Sequence, residues 1–223
     1  MDQAVGVEDL WVGYGQAPVL RGISLELSAP GSVAVVGPSG SGKTTLLYAM
    51  AGLERPDRGR VRLLGVDTAA ATPEALAALR LGSVGFVVQR ADLVPELTLA
   101  ENVELPLELL RWGRRSRRQR VNELVERLGL TECAGRRPAA VSGGQAQRAA
   151  IGRAVATGPQ VIFADEPTGA LDSRNGTAVL DLLLEESQRC QALLVMVTHD
   201  PVQAGRLGGE IALVDGQVVG RGA

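Results

Sequence analysis

The chain has 223 residues, 45% hydrophobic and 22% charged, with a formal net charge of −2. This composition excludes disorder, collagen and coiled coil as descriptions of the whole chain, and the lack of net basicity argues against a nucleic-acid partner. The cations are almost all arginine: there are 22, against one lysine, Lys43, and one histidine, His199. The N-terminal residues are acidic and lack a signal-peptide core, and Ile23, Leu25 and Leu27 then alternate as in an antiparallel meander. Short unbroken apolar runs follow at Ser32–Val36, Val84–Val88, Val161–Ala164, Leu193–Val197 and Ile211–Val214. Continuous apolar character suits strands buried on both faces of a mainly parallel sheet.

Helical patterns lie between these runs, as in Val121, Leu124, Val125 and Leu128, and again from Val179 to Leu184. Strands alternating with helices predict an α/β core. From about 91 to 154 no strand pattern stands out, which predicts a helical subdomain inserted into one domain whose core is 1–90 and 155–223. This insert carries Arg111–Arg120, with six arginines in ten residues, read as a solvated helix start balanced by Glu123 and Glu126, with contact to lipid headgroups or a partner as the alternative. Cys133 and Cys190 lack metal-site spacing and predict reduced structural thiols in a cytosolic protein. No apolar run approaches the roughly 18–20 residues a bilayer span needs, so membrane attachment is expected through another chain.

The strongest motif is Gly37, Pro38, Ser39, Gly40, Ser41, Gly42, Lys43 and Thr44, a match to G-x-x-x-x-G-K-[ST] that follows a strand and opens a helix through Thr45, Leu46 and Leu47. Small residues let such a loop curl into a ring of N–H donors, which together with the helix N-terminus bind phosphate. Lys43 is expected to reach the β- and γ-phosphates of ATP, and Thr44 to ligate Mg²⁺. The strand Val161–Ala164 runs into Asp165 and Glu166. Adjacent strand residues point to opposite faces, so Asp165 can hold Mg²⁺ through water while Glu166 acts as general base.

Between these motifs stands Ser142, Gly143, Gly144 and Gln145, heading a helical stretch. With its flanks it resembles the signature of ATP-binding cassette proteins, and the resemblance covers essentially the whole chain. It implies a P-loop NTPase, RecA-like α/β core, with Tyr14 stacking on adenine and Gln89 sensing metal and water. It also implies Asp172 in the D-loop and His199 as the switch histidine at the γ-phosphate. Val141, Ala146 and Ala170 depart mildly from the usual pattern without removing a chemical group. The family picture further implies a head-to-tail homodimer closed on ATP and Mg²⁺, cytoplasmic and held to the inner membrane face by a separate permease. The stretches Phe86–Leu107 and Asp165–Ser173 resemble the lipoprotein-release and macrolide-export branch, which implies export or extrusion. Regulation of a membrane partner, as in cell-division relatives, is the alternative, and a soluble nucleotide kinase is disfavoured by Ser142–Gln145.

Overall fold

The computed structural model describes residues 2–15 and 17–222, and its packing forms two compact units, Met1–Arg80 with Gln191–Ala223, and Leu81–Cys190. In the first unit, β1 (Asp2–Tyr14) pairs antiparallel with β2 (Ala17–Ala29) and, on its other side, with β4 (Arg58–Leu63), which carries the short β5 (Val66–Asp67). Val5, Val7, Leu10, Leu20, Ile23 and Leu25 fill the buried face of this meander. A second sheet in the same unit centres on β3 (Gly31–Val36). It pairs in parallel with β8 (Leu193–Val197) and β9 (Glu210–Val214), and β10 (Gln217–Gly222) closes antiparallel on β9. All five residues of β8 are buried, as expected for strands covered on both faces. The helix α1 (Lys43–Met50) follows β3, and Leu46, Leu47, Ala49 and Met50 are its buried apolar residues.

The division between units falls inside α2 (Pro73–Ser83). In the second unit β6 (Val84–Val88) and β7 (Val161–Asp165) pair in parallel, and Phe163, fully buried, lies 6.0 Å from Phe86 between ring centroids. Around them lie α3 (Leu99–Leu109), α4 (Arg114–Arg127), α5 (Gly143–Val155) and α6 (Ser173–Arg189). The expected helical insert, residues 91–154, lies within this second unit together with β6, β7 and α6, and Gly85 lets α5 press close: a methyl group there would meet Ala154 O at 2.5 Å. Helix α3 begins with a reciprocal cap, in which Thr98 Oγ1 accepts from Glu101 N and Glu101 Oε2 accepts from Thr98 N. Asn102, fully buried, bonds Val94 at both ends of its amide and so fixes the turn before the cap.

The arginine run is only partly a solvated surface. Arg117 pairs with Glu104 at 3.0 Å, and Arg120 donates to the carbonyls of Val155 and Ala156 at the end of α5. Of the two acids expected to balance it, Glu123 pairs with Arg120 at 4.0 Å. A deeply buried ion pair lies elsewhere: Arg127 grips Glu186 of α6 through Nε at 3.0 Å and Nη2 at 2.6 Å, with the Glu186 side chain 2% exposed. Removing the arginine leaves the buried carboxylate only the longer contact with the exposed Arg189, at 3.6 Å. Arg127→Ala is therefore expected to destabilise the fold by about 3 kcal/mol, the low end for breaking a buried pair because Arg127 keeps some solvent contact. A urea unfolding midpoint unchanged by this substitution would contradict that account. Both cysteines are free: Cys133 is buried, and burial pushes the Cys190 thiol above its ordinary pKa. Among the described residues no helix is long and apolar enough to cross a membrane.

Candidate functional site

The glycine-rich loop leaves the C-terminal end of β3 and turns into α1. Gly37 has φ 151° and lies so near the Leu213 carbonyl that any side chain would collide with it. Gly42, the N-cap of α1, has φ 99° and supplies no side-chain cap to the first N–H groups of the helix. That leaves the positive end of the helix dipole to an anion. Pro38, Ser39, Gly40 and Thr44 form an exposed rim, while Ser41, Gly42 and Lys43 form a buried floor. Lys43, 8% exposed, donates through Nζ to Gly37 O at 2.9 Å and Pro38 O at 2.8 Å. An ammonium carries three donors, and the third can meet a phosphate oxygen. Ser41 Oγ is buried and has no partner within the protein, an orphaned polar group in the wall of the phosphate cradle.

Two further residues of the first unit flank this loop. Tyr14 ends β1, the residue 58% exposed, and its hydroxyl donates to Glu54 Oε2 at 3.0 Å. This bond to Glu54 holds the phenol above its usual pKa, with a smaller opposing effect from a bond to Thr45 of α1. The ring is thus presented beside α1 as a flat apolar surface. His199 stands exposed just after β8. Because β8 runs parallel to β3 with Val197 opposite Val35, and Thr198 N donates to Val35 O at 3.2 Å, His199 emerges at the same sheet end as the loop.

In the second unit β6 and β7 likewise end together, Val88 opposite Asp165. Gln89 follows one strand. Glu166 follows the other with φ 46°, a left-handed backbone uncommon for glutamate. The two side chains converge on the same point: a methyl group at Gly169 would stand 2.8 Å from Gln89 Nε2 and 3.2 Å from Glu166 Oε2. A carboxylate and an amide so placed can share a water molecule as acceptor and donor.

Ser142 is the exposed N-cap of α5. Its Oγ accepts from Gln145 N at 3.2 Å, and Gln145 Oε1 accepts from Ser142 N at 2.9 Å. Accepting leaves the hydroxyl hydrogen of Ser142 available to an external anion, whereas the Gln145 carbonyl is committed to the cap. Gly143 is exposed beside Ser142 and Gly144 is buried, a methyl group at Gly144 coming within 3.3 Å of Asn175 Oδ1. Asp172 caps α6, accepting from Asn175 N at 3.0 Å and Asn175 Nδ2 at 2.6 Å, and these bonds hold its carboxyl below the ordinary aspartate range.

The structure adds residues that the sequence reading did not single out. Glu54 orients Tyr14, and Gln147 of α5 bonds the loop that carries Gln89. The spacing Ser142-x-x-Gln145 is a capping-box signal and could have been read from sequence. The bonds of Glu54 and Gln147 bridge distant parts of the chain and leave no local signal.

A parallel strand, a glycine-rich ring and an uncapped helix with an ammonium at its floor define a nucleoside-triphosphate-binding protein of the P-loop class. The family model described as ABC transporter matches residues 20–169, and the chain belongs to that family, as one of its ATPase domains. It is 44% identical over 207 residues to the macrolide export ATP-binding/permease protein MacB of Salmonella typhimurium, covering 93% of this chain and 32% of that protein. It is 40% identical over 219 residues to the protein of the same name from Marinobacter nauticus, covering 96% and 34%. The chain thus spans about a third of the length of these curated relatives. Among solved structures, the ATP-binding cassette MJ0796 superposes in its dimeric form with a TM-score of 0.88 at 35% identity. Its post-hydrolysis dimer bound to ADP and Pi gives 0.87 at 34%, and each match covers 97% of both chains. CbiO1 from Clostridium perfringens, at 24% identity and TM-score 0.88, covers all of this chain and 89% of its own, and shares the fold.

Proposed function

We infer that the chain is the ATP-hydrolysing subunit of an exporter, acting as a head-to-tail pair of copies on a membrane permease and located at the cytoplasmic face of the membrane. The observation that carries this reading is the Lys43 ammonium, fastened to two loop carbonyls with one donor left beside the uncapped start of α1. The names of the MacB relatives support export rather than regulation of a membrane partner. In this reading residues 91–154 form the helical subdomain of a single ATPase domain spanning 1–223, whose terminal residues Met1 and Ala223 lie outside the described ones.

The residues divide the work by chemistry. Tyr14 stacks on the adenine ring. The N–H groups from Gly37 to Thr45, with Lys43, hold the phosphates. Thr44 Oγ1, and Asp165 and Gln89 through water, supply the donor types that Mg²⁺ takes, and the ion would neutralise charge on the β- and γ-phosphate oxygens. Glu166 accepts a proton from the water that attacks the γ-phosphorus, ADP departs with the bridging oxygen, and His199 donates to the γ-phosphate. Ser142 and the N-terminus of α5 meet the γ-phosphate held by the other copy, so the pair holds together while that phosphate remains. Asp172 steadies the start of α6 beside this contact.

Ser142 separates two roles. Ser142→Asp keeps an N-cap but brings a negative charge to the phosphate, so folding stability should hold while ATP-dependent pairing is lost. Ser142→Ala should cost about 1 kcal/mol of stability through loss of the cap. Thermal melting and sedimentation of both variants check this. The reading as a whole is tested by phosphate release from Mg²⁺-ATP and by co-purification of a permease whose presence lowers cellular drug accumulation. Transfer of the γ-phosphoryl to a small acceptor, with no phosphate released, would overturn it.

A further inference from the structure

We propose that Gln147 is a positioning residue for Gln89, fastening the loop that carries Gln89 to the helix headed by Ser142. Gln147 lies in the second turn of α5 and is 2% exposed. Its Nε2 donates to Val88 O at 2.9 Å and its Oε1 accepts from Ala91 N at 3.0 Å. The two bonds fall on either side of Gln89. They also fix the orientation of the amide, because reversing it would set donor against donor and carbonyl against carbonyl. A part-buried backbone N–H and C=O are costly to leave unmade, so the Val88–Ala91 segment follows α5. One to two turns further along the helix, Arg153 donates to Asp92 O at 2.8 Å and to Ala91 O at 3.2 Å, where Asp92 has φ 45°. The loop is thus held by one rigid helix at two heights, while the exposed Gln89 side chain ends, like that of Glu166, beside Gly169.

The consequence concerns communication. Ser142 caps the same helix about 7.5 Å away along its axis, taking about 1.5 Å per residue. A displacement of α5 when Ser142 meets a phosphate is passed through the Gln147 amide to Val88 and Ala91, and so to Gln89. This inference rests on the reading that Gln89 serves the metal and water.

The test uses the full chain with three substitutions, Gln147→Leu, Gln147→Glu and Gln89→Ala. Gln147→Leu keeps side-chain size but removes both bonds. It is expected to lower kcat and the apparent Mg²⁺ affinity of hydrolysis by about 10- to 100-fold, the scale for loss of an orienting partner, with KM for ATP held within about three-fold. Gln147→Glu, when protonated, can again donate to Val88 O and accept from Ala91 N. Its activity relative to wild type should therefore rise as pH falls. Hydrogen exchange at the Ala91 amide, measured without nucleotide, should quicken in Gln147→Leu. Unchanged kcat and Mg²⁺ dependence in Gln147→Leu, with only a lowered unfolding temperature, would assign Gln147 a purely structural role and overturn the proposal. If Gln89→Ala itself leaves kcat and Mg²⁺ dependence untouched, it is the reading of Gln89 that fails.

Discussion

Glu166→Gln is expected to slow ATP hydrolysis by about 10²- to 10⁴-fold, the usual contribution of a general base, while ATP binds as before. The amide has the shape of the carboxylate and can still hydrogen-bond water, but it cannot take its proton at neutral pH. The backbone reinforces this: Glu166 sits at the tip of β7 with φ 46°, a conformation that costs energy for a residue with a Cβ, and the side chain it aims ends beside Gln89. Substitution by glutamine leaves that backbone demand unchanged, so the loss appears in kcat rather than in folding. Steady-state phosphate release measures it, and turnover at the wild-type rate would remove Glu166 from the mechanism.

Lys43→Ala should act earlier, on binding. The ammonium makes two bonds to its own loop and offers a third donor to phosphate. Losing a hydrogen bond to a charged group costs about 1.5–3 kcal/mol, so ATP affinity should fall at least ten-fold. Lys43→Arg should not rescue it, because a planar guanidinium cannot occupy a buried floor shaped around a compact ammonium. Equilibrium titration with a fluorescent ATP analogue checks both variants, and unchanged affinity in Lys43→Ala would count against this role.

Much of this was legible in the sequence, for a physical reason. Strands buried on both faces are written as unbroken apolar runs, so Leu193–Val197 coincides with β8 and Ser32–Val36 falls one residue short of β3; the apolar run Val84–Val88 also coincides with β6, although its residues alternate between buried and half-buried. The phosphate loop was legible because its chemistry is local: the glycines, Lys43 and the helix start are neighbours in the chain. Strand β4 was not, because Arg58, Arg60 and Arg62 interrupt its apolar character and face outward to Asp9, Asp67 and Glu8. The bond of Tyr14 to Glu54 and the grip of Gln147 on Val88 and Ala91 join residues 40 to 59 positions apart, and no periodicity records them. The single lysine and single histidine of an arginine-rich chain stand at one end of one sheet.

The central claim is that ATP itself joins two copies and its hydrolysis parts them. Sedimentation velocity of Glu166→Gln, first with Mg²⁺-ATP and then with Mg²⁺-ADP, tests it most directly. A dimer with ATP and a monomer with ADP is the predicted result. The same mass in both nucleotides, whether monomer or dimer, would contradict it.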